Sequence, residues 1–273
     1  MNKLTAGDVR LLLKQREAAS DKKDYGHALI VAGKKGMMGA AVIAAKAGLR
    51  SGTGLLTLCV PADEQLILQS TVPEAMVLMR EEAQSPYDHF SAIGIGPGMG
   101  MDKITAELLM DILSEFKNPI LLDADALTLI SANRKIDYLP AQTIITPHAG
   151  EFDRLFGVHQ NPDDRIATAI NKAREHDIIL VLKSHHTAII TRDEVFYNTT
   201  GNAGLAKGGS GDALTGIITS FLAQGYLPVN AAKLGVYLHG IAADITLQEQ
   251  SMESMLITDV IDNFGKAFEL IRA

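Results

Sequence analysis

The sequence predicts an α/β fold in three layers, with a central, mostly parallel β-sheet and helices on both of its faces. Short apolar runs alternate along the chain with longer segments of helical periodicity, which is typical of β-α-β units. The apolar runs are nearly continuous, as expected for strands that helices cover on both sides. No internal repeat or proline-rich linker interrupts the pattern, so we expect a single domain over residues 1–273.

Six apolar runs are predicted as strands, and a further segment as a β-hairpin. The runs at 27–33 and 55–61 end in glycine and proline, residue types that stop strands. The other four runs span residues 91–98, 118–127, 142–148 and 177–184. The hairpin is predicted over 187–202, because two apolar stretches flank the turn sequence Thr-Arg-Asp-Glu.

Helices are predicted between and after these strands. The alanine-rich segment 40–52 is long enough for a helix and ends at a glycine. Helical periodicity also marks residues 102–115, 162–176, 210–224, 229–247 and 257–271. In folds of this class, ligands bind beyond the carboxyl ends of the strands. The strands predicted here end in polar or glycine-rich motifs, namely AGKKG, GIGPGMG, DADAL, TPHAGE and KSHHT.

Composition excludes several classes of protein. The net charge of -7 argues against a protein that binds nucleic acid without sequence preference. The single cysteine, Cys59, excludes an internal disulfide framework and a multi-cysteine zinc site. No apolar run reaches 18 residues and the N-terminal segment lacks the apolar core of a secretory signal. We therefore expect a cytoplasmic protein that binds neither membranes nor nucleic acid.

Glycine provides the strongest functional signal. Of the 24 glycines, 16 fall in the clusters 33–39, 48–54, 94–100 and 201–216, which indicates backbone that approaches another group closely. Neither the P-loop nor the GxGxxG dinucleotide fingerprint is present. The cluster at 48–54 is interpreted as an ordinary helix end and turn. The other three clusters are interpreted as ligand contacts.

The segment 198–225 changes from a polar, glycine-rich stretch into an apolar helix. Gly208, Gly209 and Gly211 therefore lie at a helix N-terminus, where unpaired N–H groups and the helix dipole attract anions. Asp212 falls in the first turn. An aspartate there is often only a helix cap, but the density of glycine in AKGGSGD favours a phosphate site with Asp212 beside it.

This segment resembles the GxGD motif of the ribokinase-like superfamily. Further segments, in order over nearly the whole chain, resemble one branch of it, the ADP- or ATP-dependent NAD(P)H-hydrate dehydratases; they span residues 24–58, 94–100, 119–127, 146–151, 183–189 and 201–218. The resemblance implies the ribokinase-like three-layer fold and a single dehydratase domain. A small-molecule kinase of the hydroxyethylthiazole type and a catalytically inactive nucleotide-sensing protein are the alternatives.

The resemblance implies a repair reaction on damaged nicotinamide cofactors. The substrates are the S forms of hydrated NADH and NADPH, in which water has added to a ring double bond. ADP phosphorylates the ring hydroxyl, with ATP as another possible donor, and elimination of phosphate restores NAD(P)H and leaves AMP. Mg²⁺ is the expected cofactor. A separate epimerase chain is expected to act on the same hydrates, and a homotetramer is the expected assembly.

Roles for individual residues follow from the same resemblance. Asp212 is the expected catalytic base and also contacts the substrate. The nucleotide-binding residues are expected to be Lys183, Ser184, His185, His186, Thr187, Gly209 and Gly211. Ser184 stands where the family usually has glycine. Because neighbours on a strand point to opposite faces, the two histidines are not expected to share a metal ion.

The hydrated dinucleotide is expected to contact Gly39, Ala40, Ala41, Gly98, Gly100 and His148. Glu151 lies three residues after His148, in a pattern that resembles the Asn-x-x-Glu magnesium motif of the superfamily, so it is expected to hold Mg²⁺ through water. The alternatives are a structural role for His148 and simple helix packing for Ala41. Asp123 and Asp125 would either share a cation or a proton, or Asp125 would cap a helix.

Overall fold

The fold is built on one mixed β-sheet of ten strands, described for residues 2–273 by a computed structural model. The strands are β1 (Asn2–Leu4), β2 (His27–Val31), β3 (Leu55–Val60), β4 (Met76–Met79), β5 (Ala92–Ile95), β6 (Ile120–Leu122), β7 (Ile144–Ile145), β8 (Ile179–Leu182), β9 (Ala188–Ile190) and β10 (Val195–Asn198). Their spatial order is β1-β10-β9-β8-β7-β6-β5-β2-β3-β4. Only β9 runs antiparallel to its neighbours. The predicted mostly parallel sheet is confirmed.

Helices cover both faces of this sheet. They are α1 (Ala6–Leu12), α2 (Met38–Arg50), α3 (Gln65–Thr71), α4 (Lys103–Glu115), α5 (Ala124–Ala132), α6 (Ala149–Phe156), α7 (Pro162–His176), α8 (Ser210–Ala223), α9 (Pro228–Thr246), α10 (Ile257–Asp262) and α11 (Phe264–Arg272). Successive strand residues enter different cores: Ile30 packs in the core with α2, α8 and α9, and Leu29 in the core with α4 to α7. In the described part of the chain, no helix is long and apolar enough to cross a membrane.

The predicted strands and hairpin are present, but some boundaries differ. The run at 118–127 is a strand only to Leu122, and α5 begins two residues later. Apolar character alone does not distinguish a strand from the start of a buried helix. Here the alanine and leucine residues at the end of the run belong to α5. The helix predicted over 257–271 is two helices separated at Asn263, whose buried amide donates to Thr246 Oγ1 at 3.0 Å. Short peripheral elements were not predicted, namely β1, β4, α1, α3 and α6.

Two glycines let α2 and α8 approach each other closely. A Cβ atom built on Gly216 would lie 2.1 Å from the carbonyl oxygen of Ala44, and one on Gly48 would lie 3.4 Å from the carbonyl oxygen of Gly216. The interpretation of the cluster 48–54 as an ordinary helix end is therefore wrong for Gly48, although Gly52, with φ +103, does form the turn after α2. This contact between the second half of α2 and the middle of α8 fixes the two helices relative to each other.

We expect Gly216→Ala to destabilise the fold by about 1–3 kcal/mol, because its methyl group overlaps a backbone carbonyl that cannot move without displacing α2. Gly265→Ala is the matched control, since a Cβ there meets no atom within 4 Å and alanine is the better helix former. Urea unfolding measures both. Equal free energies of unfolding for the two variants would contradict the close helix contact.

Candidate active site

The carboxyl ends of five neighbouring strands form one edge of the sheet, as expected for parallel pairs in the order β2-β5-β6-β7-β8. Loops with the predicted motifs follow these strands. We call residues 32–37 the β2 loop and residues 96–102 the β5 loop. The N-terminus of α8 reaches the same edge, where a Cβ on Gly211 would lie 3.3 Å from Lys183 Nζ and 3.5 Å from Asp123 Oδ2. The structure therefore brings the glycine-rich helix start and the strand ends together.

The N-terminus of α8 has the features of an anion-binding site. Gly209 is its N-cap with φ +93, and a Cβ there would lie 2.7 Å from Ile43 Cδ1, so only glycine fits without strain. No side chain caps the helix. Its first N–H groups, with the positive end of the helix dipole, are directed towards any anion that binds there. The predicted position of Gly209 and Gly211 at a helix start is confirmed.

A buried ion pair lies next to this helix start. Lys183 Nζ donates to Asp123 Oδ1 at 2.7 Å, and Thr215 Oγ1 donates to Asp123 Oδ2 at 2.9 Å. Asp123 is 1% exposed, so its charge depends on these two partners. Burial lowers the pKa of Lys183, but the carboxylates of Asp123 and Glu151 raise it by more, and the net shift is upward. The lysine is therefore a fixed positive charge beside the start of α8.

Asp212 lies half-buried in the first turn of α8. Burial raises the pKa of Asp212 to about 6, the carboxylates of Asp123 and Asp125 act in the same direction, and Lys183 opposes them. A carboxylate whose pKa lies close to neutral pH is well suited to accept a proton during a reaction. The arrangement thus combines an anion site, a fixed cation and a candidate base.

Asp123 and Asp125 have separate partners. Asp123 is the residue before α5 and faces Lys183, whereas Asp125 Oδ2 accepts a hydrogen bond from Gly100 N at 2.8 Å. The strand ends at Leu122, so Asp123 precedes α5 and Asp125 lies in its first turn, and each carboxylate has its own hydrogen-bond partner. Asp125 instead fixes the backbone of the β5 loop.

His148 and Glu151 cap α6 reciprocally. Nδ1 of His148 accepts from the amides of Gly150 and Glu151 at 3.0 and 3.3 Å, and Glu151 Oε2 accepts from His148 N at 2.8 Å. This supports the structural alternative for His148. Its side chain is nevertheless 56% exposed, and Nδ1 is committed as an acceptor, so a ligand would meet the Nε2 side of the ring. Glu151 is buried and its Oε2 lies 3.9 Å from Lys183 Nζ.

Residues 184–187 form the turn between β8 and β9. The rings of His185 and His186 lie side by side with centroids 4.3 Å apart, so the expectation that they point to opposite faces of a strand is wrong. Ser184 Oγ donates to the carbonyl of His186 at 2.8 Å, and the backbone of Ser184 has no positive φ, so serine replaces glycine without strain. Thr187 Oγ1 donates back to Ser184 O at 3.3 Å. This exposed turn lies next to Lys183, at the border of the site.

The β2 and β5 loops lie against each other. Gly33 N donates to Pro97 O at 2.8 Å, and a Cβ on Gly98, where φ is +56, would lie 3.1 Å from Cβ of Ala40. The predicted contacts Gly98 and Ala40 are thus adjacent in space. Gly39 is exposed and Gly100 borders the side chain of Lys34, whereas Ala41 is fully buried, which supports the packing alternative for that residue.

Two residues at this edge were not predicted. Thr215 holds Asp123, and its only sequence signal is a hydroxyl in an apolar helix, three residues after Asp212. Arg80 is 5% exposed and its guanidinium donates to carbonyls of both the β2 and the β5 loop. In the sequence, Arg80 is marked only as an arginine that directly follows an apolar stretch. This pattern does not indicate which groups the side chain contacts.

Comparison with known proteins gives one consistent family. A sequence profile described as NAD(P)H-hydrate dehydratase matches residues 28–266. The ADP-dependent (S)-NAD(P)H-hydrate dehydratase of Bacillus subtilis is 34% identical, over 97% of this chain and 98% of the relative. A bifunctional NAD(P)H-hydrate repair enzyme of Moorella thermoacetica is 37% identical over 95% of this chain. The chain spans about half the length of the bifunctional relatives that it matches.

Comparison with solved structures indicates the same family. The ADP/ATP-dependent NAD(P)H-hydrate dehydratase of B. subtilis, co-crystallised with ATP/Mg²⁺, superposes with a TM-score of 0.90 at 33% identity, covering 99% of this chain and 98% of that one. A hydroxyethylthiazole kinase of Pyrococcus horikoshii, at 14% identity and a TM-score of 0.64 over 90% of this chain and 89% of that one, shares the fold alone. The chain therefore belongs to the NAD(P)H-hydrate dehydratase family.

Proposed function

We propose that the protein dehydrates the S form of hydrated NADH and NADPH at the expense of ADP, which makes it a carbon–oxygen lyase that repairs nicotinamide cofactors. The observation that carries this proposal is the half-buried carboxylate of Asp212, which lies at the uncapped start of α8 beside the charged Lys183. Family membership supplies the substrate class. The geometry supplies the groups that a phosphoryl transfer to a hydroxyl requires.

Asp212 acts first, as the base. It accepts the proton of the ring hydroxyl while the hydroxyl oxygen bonds to the terminal phosphorus of ADP, and the bond from that phosphorus to the bridging oxygen of AMP breaks. The phosphorylated ring then loses phosphate together with a ring proton, which restores the double bond of NAD(P)H. Phosphate leaves far more readily than hydroxide, and this is the reason for using a nucleotide.

Lys183 and the start of α8 hold the charge of the transferred phosphoryl group. The amides near Gly209 and Gly211 and the ammonium group of Lys183 stabilise negative charge without having to reorganise, since the helix and the ion pair already hold them. The turn with Ser184, His185, His186 and Thr187 borders the same position and is proposed to contact the rest of the nucleotide. Asp123 contributes by holding Lys183.

Magnesium fits this site only as an ion bound mostly to phosphate and water. In the part of the chain that the structure describes, no three His, Cys, Asp or Glu side chains are placed to hold a metal ion. Glu151 Oε2 accepts a hydrogen bond from the backbone N–H of His148, and Glu151 Oε1 lies 3.6 Å from Nε2 of the His148 ring. This arrangement suits a contact with Mg²⁺ through water. When bound, the ion would offset phosphate charge.

The β2 and β5 loops are proposed to bind the hydrated dinucleotide. Gly39 and Ala40 lie at least partly exposed at the start of α2, directly after the β2 loop, with Ala41 packed behind them and His148 at the border. Gly98 and Gly100 of the β5 loop are buried next to Ala40 and Lys34, so their backbone would meet a ligand only after these side chains move. Epimerase activity is proposed to act on the same pool of hydrates. The cytoplasmic location and the homotetramer stay predictions.

The proposal is tested by incubating the protein with hydrated NADH and either ADP or ATP. We expect absorbance at 340 nm to return, with AMP and phosphate released in equal amounts when ADP is the donor. A stable phosphate ester without recovered NADH would instead support the kinase alternative. Binding of the nucleotide without its conversion to any product would support a sensing protein.

Asp212→Asn is expected to lower kcat about 10²–10⁴-fold, because the amide keeps the shape of the side chain but cannot accept the proton. Binding of ADP, measured by calorimetry, should change little. Asp193→Asn is the matched control, since Asp193 is exposed on the hairpin turn at the opposite end of the sheet. Turnover of Asp212→Asn within a few-fold of wild type would remove Asp212 from the role of base.

The reaction should slow in acid with a midpoint near pH 6. Burial raises the pKa of Asp212 to about 6, so below that pH the base is protonated and cannot act, whereas above it the ionised form dominates. We expect kcat/KM for the nucleotide to fall about tenfold per pH unit below the midpoint. A profile that stays flat down to pH 4.5 would contradict this assignment.

A further inference from the structure

Arg80 lies beneath the dinucleotide side of the site, at the end of edge strand β4. Its Nη1 donates to Met99 O at 2.7 Å and to Thr105 Oγ1 at 3.1 Å. Its Nη2 donates to Ala32 O at 2.9 Å and to Gly33 O at 2.7 Å. All four Nη hydrogens are therefore used, and each goes to a neutral oxygen.

Three of these four acceptors belong to the two proposed ligand-binding loops, and the fourth, Thr105 Oγ1, lies in the first turn of α4. The carbonyls of Ala32 and Gly33 open the β2 loop, which leads into the first turn of α2 and hence to Gly39 and Ala40. The third is the carbonyl of Met99, between Gly98 and Gly100 of the β5 loop. Apart from the Gly33–Pro97 hydrogen bond, the guanidinium is the polar group that spans the two loops in the described structure.

Burial of this arginine is costly, and stability alone does not explain it. The side chain is 5% exposed, burial lowers its pKa, and Nε has no hydrogen-bond partner within the described residues. A buried cation that only filled space would be better replaced by an apolar side chain. The rigid fork of a guanidinium, in contrast, holds four oxygens at fixed relative positions, which lysine cannot do.

We propose that Arg80 is a positioning residue that holds the β2 and β5 loops in the arrangement that binds the hydrated dinucleotide. It does not touch the substrate, because the loops cover it. Its effect should therefore be confined to the dinucleotide side and should leave the nucleotide side, at α8 and Lys183, as it is. This inference rests on the proposed function for the identity of the ligand.

The test compares Arg80→Lys and Arg80→Met with wild type in steady-state kinetics. We expect the KM for hydrated NADH to rise about tenfold or more, the loss expected for one or two charge-assisted hydrogen bonds, with the larger rise in Arg80→Met. The KM for ADP should stay within about twofold. Arg50→Met is the matched control, because Arg50 forms an exposed ion pair with Asp262 at the far end of α2 and should change neither constant.

Hydrogen exchange gives a second measurement that needs no activity. In Arg80→Lys, amides of residues 33–40 and 96–101 should exchange faster, while those of 209–216 keep their protection. Equal rises in both KM values, or unchanged exchange in both loops, would overturn the proposal. Failure of the wild-type protein to regenerate NADH would instead sink the proposed function, and exchange would still decide whether Arg80 positions the loops.

Discussion

The buried ion pair between Lys183 and Asp123 is the interaction on which the site depends. It joins the end of β8 to the start of α5, and Thr215 of α8 completes it, so three separate elements meet at one carboxylate. Loss of Lys183 would leave the buried carboxylate of Asp123 without its cation, which costs about 3–5 kcal/mol. Burial is the main reason why the pKa of Asp212 is raised, and the pair modulates it, because Asp123 raises this pKa further and Lys183 lowers it. The same two side chains therefore hold the elements together and adjust the candidate base.

The second constraint is the distance between α2 and α8. Gly48 and Gly216 allow the backbones to touch, and Gly209 avoids Ile43 of α2 at the other end of the contact. Under the proposed function, the dinucleotide binds near the start of α2 and the phosphate at the start of α8, so this packing would set the separation between the two. A misplacement of about 1 Å can slow such a transfer about 10²-fold. The glycines of the two helices would then act on the reaction through geometry.

Local patterns in the sequence predicted the layers, most strands, and the helix start with Gly209 and Asp212, because periodicity and glycine clusters are properties of short segments. They did not reveal that Lys183 contacts Asp123, 60 residues earlier, or that Arg80 reaches two loops. Such pairs depend on the order β6-β7-β8 and on the position of edge strand β4, which local patterns do not encode. The boundary at Leu122 was missed for a different reason: an apolar run continues unchanged from strand into helix.

The phosphoryl-transfer groups at α8 are of a kind that a kinase also needs, so they do not by themselves make a dehydratase. What separates the two outcomes is the fate of the phosphorylated product, and that depends on whether the ring that carries the ester can form a double bond. Under the proposed function, selection of such a ring lies with the β2 and β5 loops, which follow neighbouring strands and are hydrogen-bonded to each other. A guanidinium that fixes these loops would therefore act on which reaction follows the transfer, while leaving the transfer machinery itself unchanged.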